Sequence, residues 1–433
     1  MNKLIRYVQK VFMPFGMSGN IYLFGAVGQG LGPVLLTPVL TRVLDVKTFG
    51  EIAYVTSSAA VLGILFSLGL PIIISRSYVL DADSRPSILK WFKQIISFYL
   101  IIAAVLVFFT NNSVLLSAIA MSFGLACMQL ILPIARAQNK AAQFALISII
   151  GTLLPSVVVI INSYFLFFSN SLTALVLGAI LGALISVAFI WTKNNNNKNQ
   201  NKYSIFNSVK SAYPILPHMF AMMALLNIDK IIFGQELDKT FSGYLQVIML
   251  LGTAPIMILS ALNHAWLNKI LLELKVNSTE AFKSLNSTIA RLFILATLMI
   301  IGIALLNSLI LELLNPNIKI TSDVQKTVVL TSLSTLIYVV YLANTHLLTW
   351  LNRFWVLGIT TPLSVIFQAI VIYLTIDSLG YVSAALAFGS ALTLQVMILQ
   401  LSRRKTETKS AIHPGFYFIS LGSFWVIALL YVY

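Results

Sequence analysis

The sequence predicts an all-α polytopic membrane protein of 12 core helices in two six-helix bundles, with a thirteenth helix at the C-terminal end. Three observations predict it. Of 433 residues, 58% are hydrophobic and only 9% charged, whereas a soluble domain carries roughly 25% charged residues. The apolar residues fall into runs of about 20, the length that spans a bilayer as a helix. Between the sixth and seventh runs lies KNNNNKNQNK, Lys193–Lys202, a polar low-complexity stretch with no apolar face, which reads as a linker.

Taken in order, the runs of the first half are Asn20–Leu40, Ile52–Ser75, Trp91–Phe109, Val114–Ala135, Phe144–Phe168 and Leu172–Trp191. The second half gives Tyr213–Phe233, Gly243–Trp266, Ile289–Leu314, Val324–Leu347, Phe354–Ile376 and Tyr381–Leu401. Phe416–Tyr433 is uncharged and makes the thirteenth. The domain plan is residues 1–192, an N-terminal bundle; 193–210, the linker; 211–402, a C-terminal bundle; and 403–433, a basic loop plus the extra span.

Charge orients the helices. With the N-terminus placed in the cytoplasm, 22 of the 28 Lys and Arg fall on the cytoplasmic side, as the positive-inside rule requires. The net charge of +15 therefore reports orientation, and no nucleic-acid partner is expected. The first apolar run is too long for a cleaved signal peptide and acts as an uncleaved anchor. Leu4, Val8, Phe12 and Phe15 share a face opposite Lys3, Arg6 and Lys10, which suits a helix lying on anionic lipid. The single cysteine, Cys127, sits in an apolar run and supplies neither a disulfide nor a metal framework. Loops on the outer side, such as Thr110–Ser113 and Asp377–Gly380, are turns. No soluble catalytic domain fits there, which counts against a membrane polymerase or acyltransferase. No enzyme, metal or cofactor is expected.

The halves echo each other. Leu44-Asp45-Val46-Lys47-Thr48-Phe49-Gly50 follows the first run and Leu237-Asp238-Lys239-Thr240-Phe241-Ser242-Gly243 the seventh. Six spans per half predicts a parallel repeat about the membrane normal, with a site at the midplane.

The stretch Leu36-Thr37-Pro38-Val39-Leu40-Thr41-Arg42-Val43-Leu44, then Phe49-Gly50, Leu68-Gly69-Leu70 and Arg76, resembles the N-terminal signature of the Wzx-type O-antigen and polysaccharide repeat-unit flippases. Asn227-Ile228-Asp229-Lys230 through Gly234, then Gly243-Tyr244, resembles a second element of that family. Asp45 stands where the family often has Gly. This branch belongs with the MATE drug exporters and lipid II flippases. The resemblance implies a bacterial inner-membrane transporter with a cytoplasmic N-terminus. It would flip undecaprenyl-pyrophosphate-linked oligosaccharide units, of O-antigen or capsule, to the periplasmic leaflet by alternating access. It further implies polysaccharide polymerase and chain-length proteins as partners. The alternative is a cation-coupled multidrug exporter of the MATE type. Against it, the apolar interiors of the first six runs hold no Asp or Glu.

Such a substrate calls for cations toward its phosphates and for amides, hydroxyls and aromatics toward its sugars. Ionisable groups inside a membrane are costly and point to function. Asp229 and Lys230 lie within an apolar run, with His218 eleven residues earlier on the same face of a continuous helix. The competing reading has Lys230 snorkelling to the interface. Arg76, Arg136 and Arg291 sit at cytoplasmic helix ends, where topology alone also explains them. Arg42 stands at an outer end, either for phosphate or paired with Asp45. Tyr22 and Gln29 would form a polar stripe on a glycine-rich first helix. His264 with Asn263, and Tyr338, Tyr341 and Asn344, are further candidates for a cavity. Gly178 and Gly182 read as helix packing.

Overall fold

A computed structural model describes residues 16–71, 112–137, 140–191, 213–351, 353–404, 406 and 408–432. The span expected at Trp91–Phe109, Arg76, the amphipathic N-terminus and the linker lie outside the described residues. Among those described, the elements are helices: α1 Gly16–Val43, α2 Val46–Ser67, α3 Ser113–Ala137, α4 Ala141–Phe165, α5 Ser171–Trp191, α6 Leu216–Leu225, α7 Ile228–Glu236, α8 Lys239–Gly252, α9 Ala254–Val276, α10 Ser278–Leu314, α11 Ser322–Trp350, α12 Phe354–Leu379, α13 Val382–Arg403 and α14 Pro414–Val432. Nine are long and apolar enough to cross a membrane, or eleven if each of two bent pairs is one span. The chain is a multi-pass membrane protein.

It forms two compact units: Met1–Leu36 with Leu65–Tyr213, and Thr37–Ile64 with Pro214–Tyr433. In the first, α4 packs most extensively on α5, because small residues let their backbones meet. A methyl group on Gly178 would stand 2.6 Å from Pro155 Cα, and one on Gly182 3.5 Å from Gly151 Cα. The packing role expected for that glycine pair holds. Gly25, Gly28 and Gly32, spaced along one face of α1, likewise admit Ala145, Ile149 and Leu153 of α4. Ile131, Ile134, Phe144 and Ile147 fill the interior beneath.

In the second unit α11 is the central helix, buried almost continuously from Thr327 to Leu348. It packs on α8, α9, α10, α13 and α14. By contrast, α10 and α12 present Leu298, Leu305, Leu309, Leu363 and Leu374 outward, as helices in hydrocarbon solvent do. At 37 residues α10 starts well before the run expected at Ile289. Its opening turns are polar, and Asn277 Oδ1 caps it by accepting from the N–H groups of Thr279 and Glu280.

The thirteenth run is the helix α14. Phe424 packs against Gly389 of α13, where a side chain would overlap its ring, and Lys326 Nζ donates to the Tyr431 carbonyl 3.1 Å away. Towards its other end Arg403, only 1% exposed, donates to Asn344 Oδ1 at 2.9 Å, the Thr408 carbonyl at 2.6 Å and the Tyr417 hydroxyl at 2.7 Å. Sequence placed Arg403 among the loop cations; it is instead a buried joint between α11, α13 and α14.

Candidate functional site

Two side-chain clusters in the second unit concentrate the chemistry. The first surrounds a broken helix. The run Tyr213–Phe233 reads as one continuous span, but α6 and α7 meet at a bend of 56° between Leu225 and Ile228. Breaking the ladder frees carbonyls in an apolar setting, where an unpaired polar group is costly. Side chains take them up. Asn227 Nδ2 donates to the Met223 carbonyl at 2.9 Å, Lys230 Nζ to that of Leu226 at 2.5 Å, and Gln368 Nε2 of α12 to that of Leu225 at 3.1 Å.

Lys230 also lies 3.1 Å from Asp229 Oδ1, an oxygen that further accepts from the Lys230 backbone N–H at 2.9 Å. Asp229 is 0% and Lys230 4% exposed, so the snorkelling reading of Lys230 fails. The other carboxylate oxygen, Oδ2, is buried with no protein hydrogen-bond partner, as is Oε1 of Gln368. The common face expected for His218 and Asp229 is also corrected, because the break between them interrupts the helical register.

The second cluster belongs to His218. Its Nδ1 is 2.7 Å from Thr361 Oγ1, to which Gln395 Nε2 also donates at 2.7 Å. The Thr361 hydroxyl has one proton and two lone pairs, so it can accept from Gln395 in either case, and the His218 tautomer sets which of the two donates across the contact with the imidazole. Thr361 and Gln395 are fully buried, and Gln395 Oε1 has no protein partner. Sequence reading missed Gln368, Gln395 and Thr361, although a glutamine within an uncharged apolar run carries the same signal as an ionisable group.

The remaining candidates are placed as follows. Arg42 is exposed, and its Nη1 donates to the Pro38 carbonyl at 2.6 Å and the Leu313 carbonyl at 3.0 Å. The pairing with Asp45 does not form. Asp45 Oδ2 accepts from the Thr48 hydroxyl at 2.6 Å and Oδ1 from the Thr48 N–H at 3.0 Å. It caps α2, and those two donors hold its carboxyl below the usual range. Asp238 caps α8 in the same manner, through the Thr240 N–H at 2.8 Å. The repeated Leu-Asp turns are thus, locally, two helix starts. Arg291 is exposed on α10.

Tyr338 and Tyr341 lie with ring centroids 5.5 Å apart, tilted by 31°, and are buried. Tyr338 is bonded to Ser260 and Tyr341 to Met222 Sδ. Asn344 spends both ends of its amide, on Arg403 and on the Val340 carbonyl. These three join α11 to α9, α6 and α13. Arg136 and His264 lie on α3 and α9, Tyr22 and Gln29 on α1; their side chains fall outside the described residues.

No family model and no curated protein sequence matches the chain. The fold does match solved structures. A eukaryotic MATE transporter, AtDTX14, aligns at a TM-score of 0.64 and 14% identity over 94% of this chain and 98% of its own. An inward-facing multidrug resistance MATE family transporter of the MOP superfamily aligns at 0.56 and 15%, over 92% and 98%. The Vibrio cholerae MATE transporter VcmN, crystallised as a point mutant, aligns at 0.51 and 12%, over 93% and 97%. The chain has the MATE-transporter fold, as the sequence led one to expect. Identities this low define the architecture and leave the cargo to be argued from residues.

Proposed function

We propose that this protein is a flippase of lipid-linked oligosaccharides. It moves an undecaprenyl-pyrophosphate-linked repeat unit from the cytoplasmic to the periplasmic leaflet by alternating access, and is a transporter rather than an enzyme. The Asp229–Lys230 pair is the observation that carries this reading. A cationic drug, or a cation that drives its export, is bound most simply by an unpaired intramembrane carboxylate. The Asp229 carboxylate, buried beside the helix break, is neutralised by a neighbouring ammonium 3.1 Å away, and the apolar runs of the first half contain no Asp or Glu. What the site offers is amide and hydroxyl chemistry from Asn227, Gln368, Thr361, Gln395 and His218, the vocabulary of sugar recognition. The charge asymmetry supports a cytoplasmic N-terminus and the inner membrane. Arg42, Arg76, Arg136 and Arg291 remain candidates for the pyrophosphate, and polysaccharide polymerase and chain-length proteins are its expected partners.

The test is a deletion strain of the source bacterium. Lipid-linked intermediates should accumulate on the cytoplasmic face and surface polysaccharide should disappear, both restored by the gene. The second reading, a multidrug exporter, is favoured by the fold shared with a multidrug resistance MATE family transporter. It predicts normal polysaccharide and an increased sensitivity to cationic dyes in the same strain.

A further inference from the structure

The run Phe144–Phe168 reads as one span, but α4 stops at Phe165. Leu166 turns the chain with a left-handed backbone, φ 52°, a conformation unusual for a leucine. Its N–H closes the last helical turn on the Asn162 carbonyl at 2.8 Å. Asn162 is buried, and its side-chain amide grips Phe168 at both backbone groups. Oδ1 accepts from the N–H at 2.7 Å, and Nδ2 donates to the carbonyl at 3.2 Å. Two residues on, Asn170 Oδ1 accepts from the Leu172 N–H at 2.8 Å, at the start of α5. The turn between the helices is braced by its own amides.

What this frame holds outward is apolar. Tyr164, Phe165, Leu166 and Phe167 are each 67–78% exposed, and the rings of Phe165 and Phe167 stack with centroids 5.6 Å apart. A turn facing water does the reverse, with polar groups outward and apolar ones inward. A contiguous apolar patch of this kind marks a surface that something else covers.

Three features identify the cover as lipid. From Ala141 to Thr192 there is no Asp, Glu, Lys, Arg or His, so no charge holds the turn in water or offers a protein partner an ion pair. Turns expected on the same outer side do carry charge: Asp45 and Lys47, Asp238 and Lys239, Lys319 and Asp323. Length is the second feature. The 25 residues of α4 and the 21 of α5 rise about 37 Å and about 31 Å, against a hydrocarbon layer about 30 Å thick. The turn thus falls at the edge of that layer. The third is composition. Aromatic rings set among Ser163, Ser169, Asn170 and Ser171 are the mixture of the membrane–water boundary, where rings lie at the headgroup level.

We propose that the 164–168 turn is a membrane anchor: Tyr164, Phe165, Leu166 and Phe167 insert between phospholipid headgroups at one end of the α4–α5 hairpin. The inference is independent of the cargo. Because the turn is uncharged, its hold comes from apolar area alone and needs neither anionic lipid nor low salt.

The test uses the full chain with its one cysteine, buried Cys127, removed as Cys127→Ser. One spin label is placed at Leu166→Cys or Phe167→Cys, with Lys319→Cys, exposed on a charged turn, as control. In vesicles of neutral and of anionic phospholipid alike, oxygen collisions should outnumber those of a water-soluble nickel complex at 166 and 167. At 319 the order should reverse. Both labels should report a depth of about 5–10 Å into the headgroup boundary, as interfacial segments do. Adding Phe165→Asp and Phe167→Asp should shift the label at 166 into water. Nickel collisions at 166 and 167 as frequent as at 319 would overturn the anchor, as would an unchanged depth in the double aspartate variant. Shielding from both probes would overturn it in favour of a second copy of the chain as the cover, and insertion only into anionic vesicles would refute a hold without charge.

Discussion

Lys230 Nζ lies 3.1 Å from Asp229 Oδ1 and 2.5 Å from the Leu226 carbonyl, so one ammonium answers both a buried carboxylate and a helix break. Removing one partner of such a pair typically costs about 3–5 kcal/mol, because the other charge stays buried and uncompensated. Lys230→Gln and Asp229→Asn are each expected to abolish export. Lys230→Gln should also lower the amount of protein in the membrane, since the Leu226 carbonyl loses its donor. The double variant should recover protein level, while its export reports whether the charges themselves serve transport. Normal export by both single variants at normal protein level would refute the role assigned to the pair.

Replacing Gly178 should be far worse than replacing Gly302. A side chain at 178 meets the Pro155 backbone within 2.6 Å, which cannot move aside as a flexible side chain could, whereas nothing lies within 4 Å of Gly302. Overpacking of this kind costs about 1–3 kcal/mol. Gly178→Val should therefore lower the thermal midpoint of the detergent-purified protein by several degrees, and Gly302→Val should leave it nearly unchanged. Equal midpoints for the two would contradict the close α4–α5 contact.

The Asp45 cap makes a prediction about pH. Its carboxyl is held below the ordinary value by the Thr48 hydroxyl and N–H. A depressed folded-state pKa stabilises above the unfolded value, about 3.9, and the contribution fades as pH falls through the folded value. Asp45→Asn keeps an oxygen for Thr48 and removes the charge. The variant should melt below the parent at pH 7, and the gap should close as pH falls below about 4. A gap that is constant across this range would mean that the charge contributes nothing.

The all-helical, membrane-spanning character of the chain was legible because a bilayer imposes length and apolarity on every span, and both are one-dimensional properties. What escaped was three-dimensional. The break at Leu226–Asn227 has no proline or glycine to announce it; it persists because Asn227, Lys230 and Gln368 absorb its carbonyls, and Gln368 is distant in sequence. The same limit hid Arg403. A cation beside Arg404 and Lys405 looks like an orientation signal until Asn344 and Tyr417 are seen around it. Conversely, the echoed Leu-Asp turns were visible as a repeat, but their meeting, where a methyl group on Gly243 would stand 2.9 Å from Gly50 Cα, was not, because period and contact are separate facts.

Arg403 also decides the status of the last helix. Its guanidinium is buried, and its bonding partners Asn344, Thr408 and Tyr417 are all neutral. A hydrogen bond to a charged group is worth about 1.5–3 kcal/mol, and Tyr417 supplies one from α14 while also donating to Asn344 Oδ1 at 3.1 Å. Tyr417→Phe should accordingly destabilise the protein. Removing Pro414–Tyr433 should do more, because it takes away the Tyr417 hydroxyl, the Phe424 ring on Gly389 and the apolar cover of α11 together. Arg403→Met in the truncated chain should regain part of the lost stability, since no uncompensated cation then remains beneath the missing helix. The measurement is melting of the solubilised chain, with membrane level as a check in cells. If truncation leaves both unchanged, α14 is an ornament on the bundle, and the Arg403 joint contributes nothing to holding it together.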